Sequence, residues 1–86
     1  MQFVYILKCK DNTFYTGCTN DIDSRLERHN HGYVEYTKTR LPVELVFYSA
    51  FKNKQHAFAF EKYLKSGSGI AFRNKHLIKH PYPSLT

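Results

Sequence analysis

Five consecutive apolar residues, Phe3 to Leu7, begin the hydrophobic pattern of this chain. Successive side chains of a strand point to opposite faces, so such a run needs cover on both sides and predicts an interior strand. Lys10-Asp11-Asn12-Thr13 follows, and its Asp and Asn favour a turn because they bond their own backbone. Tyr15-Thr16-Gly17 then closes a second apolar arm. The pattern predicts a β-hairpin over residues 3 to 17.

The register of this hairpin decides where its tyrosines lie. If residues 11–13 form the loop, Cys9 faces Tyr15 and Tyr5 pairs near Thr19, about 13 Å along the strand from Tyr15. Tyr5 and Tyr15 then share one face, whereas a slip of one residue would separate them. Two strand tyrosines alone are ordinarily core residues. Cys9 and Cys18 are not opposite each other, so we expect no disulfide and a reducing, cytoplasmic setting.

Beyond the hairpin, apolar residues recur at helical spacing in three segments and fill one further strand. The predicted elements are a helix capped by Asn20 or Asp21 and ending near Asn30, a strand over 43–51, a helix over 54–65 and a helix over 70–79. Gly67-Ser68-Gly69 is predicted to break the chain between the last two helices. The order β-β-α-β-α-α with short connections predicts an α+β fold, a three-stranded antiparallel sheet flanked by helices.

Each predicted helix has an expected buried side. The residues expected inside are Ile22, Leu26 and Tyr33 for the first helix, Ala57, Phe60 and Leu64 for the second, and Ile70, Ala71, Leu77 and Ile78 for the third. Arg73, Lys75 and Lys79 are expected to stay outside. One small domain over residues 1–80 with a C-terminal tail, 81–86, accounts for the length. Neither a membrane-spanning apolar run nor a signal-peptide pattern is expected.

Charge is distributed unevenly along the chain, whose formal net charge is +6. Residues 1–51 hold six Lys/Arg and six Asp/Glu, whereas residues 52–86 hold seven Lys/Arg and one carboxylate, Glu61. A basic excess of this kind suits nucleic acid, although it also describes a solvated surface that keeps a small protein soluble.

Three side chains outside the hairpin carry candidate chemistry. Arg25 and His29 are four residues apart, so they lie on one helical face at the border of the core. Glu61 lies on or beside the apolar stripe of the second predicted helix. A carboxylate in that position is costly unless it pairs with a cation, here Arg25 or a nearby lysine, or holds a metal ion.

The ordered set Tyr5, Tyr15-Thr16-Gly17, Arg25, His29 and Glu61 resembles the GIY-YIG nuclease superfamily, in particular its small single-domain bacterial members. The resemblance covers roughly residues 2–79. The single motifs are short and degenerate, and the specificity lies in the five positions taken in order.

Three positions depart from the family pattern. The first triplet reads Phe3-Val4-Tyr5 and lacks its glycine, and the second carries Thr16 in place of isoleucine. Cys18 stands where some relatives carry a lysine. Both tyrosines and Gly17 are retained.

The resemblance implies a metal-dependent endonuclease that hydrolyses phosphodiester bonds in nucleic acid, DNA more than RNA. Glu61 would hold one divalent ion, Mg²⁺ or alternatively Mn²⁺, and Arg25 would bond a phosphate oxygen. Tyr5 or Tyr15 would orient or deprotonate the water, with His29 relaying the proton or orienting a tyrosine. Gly17 would make room for the backbone. Specificity is expected to be low or supplied by a protein partner.

Five basic residues are expected to contact nucleic acid: Lys38, Arg40, Arg73, Lys75 and Lys79. Lys38 and Arg40 belong to the predicted loop 32–42 and could equally be ordinary loop residues. Two other functions stay open at this point. One is a nucleic-acid-binding module without catalysis on the same fold, and the other is a small protein-interaction domain whose tyrosines are core residues.

Overall fold

A computed structural model describes residues 1–78 of the chain. Its elements are β1 (Gln2–Lys8), β2 (Phe14–Thr19), α1 (Ile22–Asn30), β3 (Glu44–Phe51), α2 (Lys54–Leu64) and α3 (Gly67–Phe72), which continues as a π-helical segment (Arg73–Leu77). The strands form one antiparallel sheet in the order β2-β1-β3. The predicted α+β fold and element order are confirmed. Lys79, the boundary at residue 80 and the tail 81–86 lie outside the described residues.

The central strand β1 is covered on both faces, as its unbroken apolar run predicts. Val4 and Ile6 are fully buried in a cluster with apolar residues of α2. Tyr5 and Leu7 point the other way and pack in a second cluster with apolar residues of α1. The sheet therefore lies between α1 and α2, and its two faces have separate cores. Within residues 1–78 no helix is long and apolar enough to cross a membrane.

The hairpin register differs from the predicted one by two residues. Tyr15 lies opposite Leu7, not Cys9, and Gly17 lies opposite Tyr5. The cause is the loop, which runs over residues 10–12: the Cys9 N–H donates to the Thr13 carbonyl at 2.8 Å, and Asn12 has φ +68°. A left-handed residue at the end of a three-residue loop is a common hairpin closure.

A shift by an even number of residues leaves every side chain on its predicted face. Tyr5 and Tyr15 therefore share the face that α1 covers, as predicted. Their separation along the strands is two residues rather than four, which is about 7 Å of backbone. The large gap expected between the two tyrosines is wrong, and their rings are in reach of each other.

The first helix begins and ends where its sequence signals predict. The Asp21 carboxylate accepts a hydrogen bond of 3.1 Å from the Ser24 N–H, and Gly32 follows the helix with φ +79°. The expected burial of Tyr33 is wrong, because the chain turns at Gly32 and leaves this side chain 68% exposed, stacked beside His31.

The predicted break at Gly67-Ser68-Gly69 is also wrong. These residues form the first turn of α3, and the Ser66 hydroxyl caps it by accepting from the Gly69 N–H at 3.1 Å. Gly69 is buried against the last turn of α2, where a Cβ atom would overlap the Tyr63 carbonyl. Glycine is used here for close approach of two helices rather than for a break.

The buried side of the third helix is only partly as predicted. Leu77 and Ile78 pack on the α2 core, whereas Ile70 is 38% exposed and Ala71 is exposed. Arg73, expected outside, is half-buried with its guanidinium 5.1 Å from the centroid of the Phe14 ring. The helix starts three residues earlier than predicted, and its first turn packs Gly69 rather than Ile70 against α2, before it changes to π geometry at Arg73.

Gly69→Ala is predicted to destabilise the fold, because the new methyl group would push α3 away from the Tyr63 carbonyl. We expect a loss of about 1–3 kcal/mol in the free energy of unfolding, typical of overpacking. Gly67→Ala is the matched control: the same helix turn has open space at that position. Urea denaturation followed by circular dichroism measures both. Equal stability of the two variants would contradict the close contact.

Candidate active site

A chain of three buried polar side chains forms the centre of the site. The Tyr5 hydroxyl lies 2.9 Å from Nε2 of His29, and Nδ1 of the same ring lies 2.8 Å from the Thr37 hydroxyl. The Thr37 hydroxyl lies 3.4 Å from the Val34 carbonyl oxygen. His29 and Thr37 are both 0% exposed, and Tyr5 is 2% exposed. Buried polar groups need such partners, so the chain fixes all three side chains.

Three separate segments supply these residues. Tyr5 comes from the central strand, His29 from the last turn of α1, and Thr37 from the connection between α1 and β3. The Tyr5 ring passes over Gly17 on the neighbouring strand, where a Cβ atom would overlap the Tyr5 phenol. Gly17 therefore provides the space in which the tyrosine reaches the histidine.

The direction of each hydrogen bond in this series follows from its last member, the Val34 carbonyl oxygen. The Val34 carbonyl can only accept, so the Thr37 hydroxyl donates to it and accepts from Nδ1–H of His29. Nε2 of a neutral imidazole is then unprotonated and accepts from the Tyr5 hydroxyl. The arrangement sets the tautomer of His29 and leaves its basic nitrogen facing the tyrosine.

Burial keeps both titratable groups uncharged. It raises the pKa of Tyr5 to about 12, with a further rise from Tyr15 and an opposing effect of Arg25. Burial also lowers the pKa of His29 to about 4, and the positive charges of Arg25 and Arg28 add to this. At neutral pH the pair is therefore a protonated phenol beside a neutral imidazole.

Tyr15 connects this buried centre with the surface. Its ring centroid lies 6.2 Å from that of Tyr5, 5.0 Å from that of His29 and 5.7 Å from that of Tyr36. It also lines a cleft of about 310 Å³ together with Phe14, Thr16, Tyr36, Leu64, Lys65, Ile70 and Arg73. A molecule in this cleft would contact Tyr15, whose ring also packs against His29.

The other two predicted site residues also act on Tyr5. Arg25 is half-buried on α1, and its guanidinium lowers the pKa of Tyr5, whereas the Glu61 carboxylate raises it. Glu61 pairs with Lys65, with Oε2 and Nζ 3.0 Å apart, and its side chain is 22% exposed. No ion pair joins Glu61 to Arg25 among residues 1–78. Tyr15, Arg25 and His29 therefore lie close to the Tyr5 phenol, whereas Glu61 lies on α2 and affects it only through its charge.

Glu61 is compatible with a magnesium ion that takes most of its ligands from elsewhere. No group of three or more His, Cys, Asp or Glu side chains that could hold a metal ion occurs in the described part of the chain. Mg²⁺ commonly binds through one or two carboxylates and fills its octahedron with water and substrate phosphate oxygens. A single, partly exposed carboxylate meets that requirement, whereas it would not suit a chelated structural ion.

The described basic residues that are predicted to contact nucleic acid each have their own neighbours. Arg40 holds its own loop, with Nε 3.1 Å from Oδ2 of Asp11, and Lys38 pairs with Glu35 at 3.2 Å. Arg73 lines the cleft, and Lys75 is exposed on the π-helical segment. Lys79 is outside the described residues. Of the described four, only Arg73 is placed beside the cleft.

The sequence does not single out Thr37 or Tyr36 within the predicted loop 32–42, because loops lack the periodicity that would mark one residue as buried. Thr37 is nevertheless fully buried, and Tyr36 is held between Tyr15 and the Arg40 guanidinium. No signal in one sequence gives the fold of this loop over the end of α1.

We predict that His29 carries its proton on Nδ1 at pH 7, because Thr37 provides the acceptor. Long-range ¹H–¹⁵N correlation of the imidazole measures this directly. Thr37→Val keeps the shape but leaves the buried N–H unpaired, at a cost of about 1–3 kcal/mol. Thr39→Val, at an exposed position of the same loop, serves as the control. A proton found on Nε2 would contradict the hydrogen-bond order.

The depressed pKa of His29 also predicts how stability depends on pH. The folded value, about 4, lies below the ordinary value of 6.5, so unfolding takes up a proton between them. The contribution of His29 to stability is present above pH 6.5 and is lost as pH falls towards 4. An NMR titration in which the His29 ring changes near its ordinary pKa would contradict this.

Comparison with known proteins shows the family of the chain. The model of the GIY-YIG catalytic domain matches residues 1–73. The chain is 48% identical over 66 residues to a UPF0213 protein of Clostridium perfringens, covering 76% of this chain and 71% of that protein. For a UPF0213 protein of Staphylococcus haemolyticus the identity is 46% over 68 residues, covering 78% of this chain and 83% of that protein.

A solved structure shares the fold. The solution NMR structure of a UPF0213 protein from Bacillus halodurans is 39% identical, covers 84% of this chain and 81% of its own, and superposes with a TM-score of 0.53. The family model spans the tyrosines of the hairpin, the Arg25–His29 helix and Glu61. The chain belongs to the GIY-YIG catalytic domain family, a family of nucleases.

Proposed function

We propose that this protein is a metal-dependent endonuclease that hydrolyses phosphodiester bonds in nucleic acid, DNA in preference to RNA. The observation that carries the proposal is the hydrogen bond of 2.9 Å between the Tyr5 hydroxyl and the unprotonated nitrogen of His29. It places a proton acceptor behind the phenol, in a domain of a nuclease family. Tyr5 is therefore the favoured base, and Tyr15 a wall of the substrate site.

The proton path runs from water through Tyr5 to His29. The water proton passes to the Tyr5 oxygen as the phenol proton passes to Nε2 of His29, which leaves hydroxide and an imidazolium. A free tyrosinate is not required, and with a pKa of about 12 it would be scarce at neutral pH. Nε2 is available because the pKa of His29, about 4, keeps the ring neutral in the free protein.

Arg25 links phosphate binding to this proton path. Its guanidinium is a planar donor suited to a phosphate oxygen, and its charge is one cause of the lowered pKa of His29. A phosphate bound at Arg25 would offset that charge, so the imidazolium would form more readily with substrate in place. The site would then be most basic when the scissile phosphate is bound.

Glu61 is the proposed ligand of one Mg²⁺ ion, for which Mn²⁺ can substitute. When bound, the metal supplies Lewis-acid stabilisation of the phosphate and the leaving oxygen. The ion pair with Lys65 holds the carboxylate at the exposed border of α2. A surface pair of this kind contributes only about 0–1 kcal/mol, so exchanging it for a metal costs little.

The wider setting of the enzyme is proposed from charge and thiol chemistry. Arg73 and Lys75 of the basic C-terminal part would contact the phosphate backbone, with Lys79 beyond the described residues. Cys9 and Cys18 are free thiols, which suits a reducing cytoplasm. One small domain provides a limited surface, so target selection would come from a protein partner.

We predict that Glu61→Gln abolishes Mg²⁺-dependent cleavage and changes the melting temperature little, because the residue loses only a surface ion pair. Glu27→Gln, the same change at an exposed position of α1, is the control and should cut like the parent. The measurement is cleavage of labelled DNA and RNA with Mg²⁺, Mn²⁺ or a chelator. A Glu61→Gln variant that still cuts at the parent rate would exclude this residue as the metal ligand.

Tyr5→Phe is predicted to reduce the cleavage rate by about 10²- to 10⁴-fold, because the ring still fills the space over Gly17 but the proton path is lost. Binding of DNA in chelator should change little. Tyr48→Phe provides the control, since Tyr48 lies opposite Tyr5 on β3 and is 56% exposed. The measurement is the single-turnover rate of cleavage. If Tyr5→Phe cuts at the parent rate, Tyr5 is not the general base and Tyr15 takes that role.

A further inference from the structure

The cleft beside Tyr15 lies at the outer edge of the sheet. Phe14, Tyr15 and Thr16 of the edge strand β2 form one side, and Leu64, Ile70 and Arg73 close the other. Its volume is about 310 Å³. Tyr15 lines the cleft and also packs against Tyr5 and His29, so the cleft adjoins the proposed active site.

Aromatic side chains build a wall of this cleft and are held in place. Tyr36 is 39% exposed, and its ring centroid is 5.7 Å from that of Tyr15 at an interplanar angle of 35°. The Arg40 guanidinium lies 4.1 Å from the Tyr36 centroid and is itself tied to Asp11. The loop thus presents an ordered aromatic surface without a ligand, and little side-chain freedom remains to be lost on binding.

The remaining walls combine aliphatic surface with positive charge. Leu64 and Ile70 are aliphatic, and Lys65 and Arg73 supply the only charges among the lining residues of the described range 1–78. Arg73 is half-buried against Phe14, and no carboxylate pairs with it within residues 1–78. A cation held in this way favours an anionic ligand, and the cleft as a whole suits a flat aromatic group attached to a phosphate.

We propose that this cleft receives a single unstacked base of the nucleic-acid substrate, with Tyr36 as the stacking residue and Arg73 on an adjacent phosphate. The inference rests on the proposed nuclease function and names its substrate class. The substrate would be single-stranded nucleic acid, or a duplex whose bases are unpaired at a mismatch or junction.

The preference for unpaired bases follows from the cost of reaching the cleft. In a duplex both faces of a base are stacked, so the base must leave the helix before it can contact Tyr36. Extrusion costs least for a mismatched or already single-stranded base. Tyr36 is held by Arg40 and Tyr15, so it is not free to insert as a wedge that would open a duplex.

Binding can be measured separately from cleavage with a 2-aminopurine oligonucleotide, in chelator. The fluorescence of this base is quenched when it stacks on an aromatic ring. We expect the parent protein to quench it in a single strand or at a mismatch and not in a matched duplex. Tyr36→Ala should weaken single-strand affinity about 5- to 150-fold, as loss of one stacking contact does, whereas Tyr36→Phe should retain it.

Tyr33→Ala is the matched control, because Tyr33 belongs to the same loop but is outside the cleft and stacks beside His31. Arg73→Gln is a second, independent variant and should weaken binding and reduce its salt dependence by about one phosphate contact. Circular dichroism verifies that every variant is folded. Equal affinities of Tyr36→Ala and Tyr33→Ala, or quenching in the matched duplex as strong as in the single strand, would overturn the inference.

Cleavage of the same oligonucleotides with Mg²⁺ separates this inference from the proposed function. A parent protein that cuts nothing, yet shows Tyr36-dependent quenching, supports the base-binding cleft and contradicts the nuclease. A parent protein that cuts matched duplex and single strand equally, with Tyr36→Ala cutting like Tyr33→Ala, supports the nuclease and overturns the cleft. If the parent protein neither binds nor quenches any oligonucleotide, the inference of a base-binding cleft is also overturned. The cleft would then suit an apolar side chain of a protein partner.

Discussion

The bond between the Tyr5 hydroxyl and His29 is the interaction on which the site depends. A phenol buried in the central strand needs a partner, and the partner reaches it from the last turn of α1. His29 in turn requires Thr37, which fixes the loop between α1 and β3. The sheet, a helix and a loop are thus joined by polar contacts in an otherwise apolar interior. The hydrogen bonds that satisfy these buried polar groups are also the ones that orient Tyr5 and His29 for the proposed chemistry.

Much of the fold was predictable because local signals and packing agree. The unbroken run from Phe3 to Leu7 required two covering layers, and α1 and α2 supply them. Asp21 and Gly32 marked the ends of the first helix by cap chemistry. The register was wrong by two residues, since several three-residue loops fit the same sequence and only the dihedral angles of Asn12 select one.

The last helix shows where local rules fail. Glycine normally weakens a helix, so Gly67-Ser68-Gly69 was interpreted as a break. Tertiary contact reverses this at Gly69, because only a residue without a side chain fits against the Tyr63 carbonyl. Arg73, the first residue of the π-helical segment, packs on Phe14 instead of staying outside as its charge predicts.

The candidate site could be proposed from the sequence, but its hydrogen bonds could not. Tyr5, Tyr15, Arg25, His29 and Glu61 could be proposed because their order along the chain resembles a family. The hydrogen bonds among them depend on side-chain directions that a sequence does not contain. Thr37 could not be foreseen, and of the two partners that the sequence offers Glu61, Arg25 or a nearby lysine, only the structure selects Lys65.

The position of the cleft has a consequence for the solubility of the fold. β2 is an edge strand, and the unpaired backbone groups of such a strand can template pairing with another molecule. Tyr36, Ile70 and Arg73 stand around this edge because they line the same cleft as Phe14 and Thr16. An approaching strand would meet a tyrosine, an isoleucine and a cation before it reached the backbone. The side chains that shape the cleft thereby also protect the sheet against edge-to-edge aggregation.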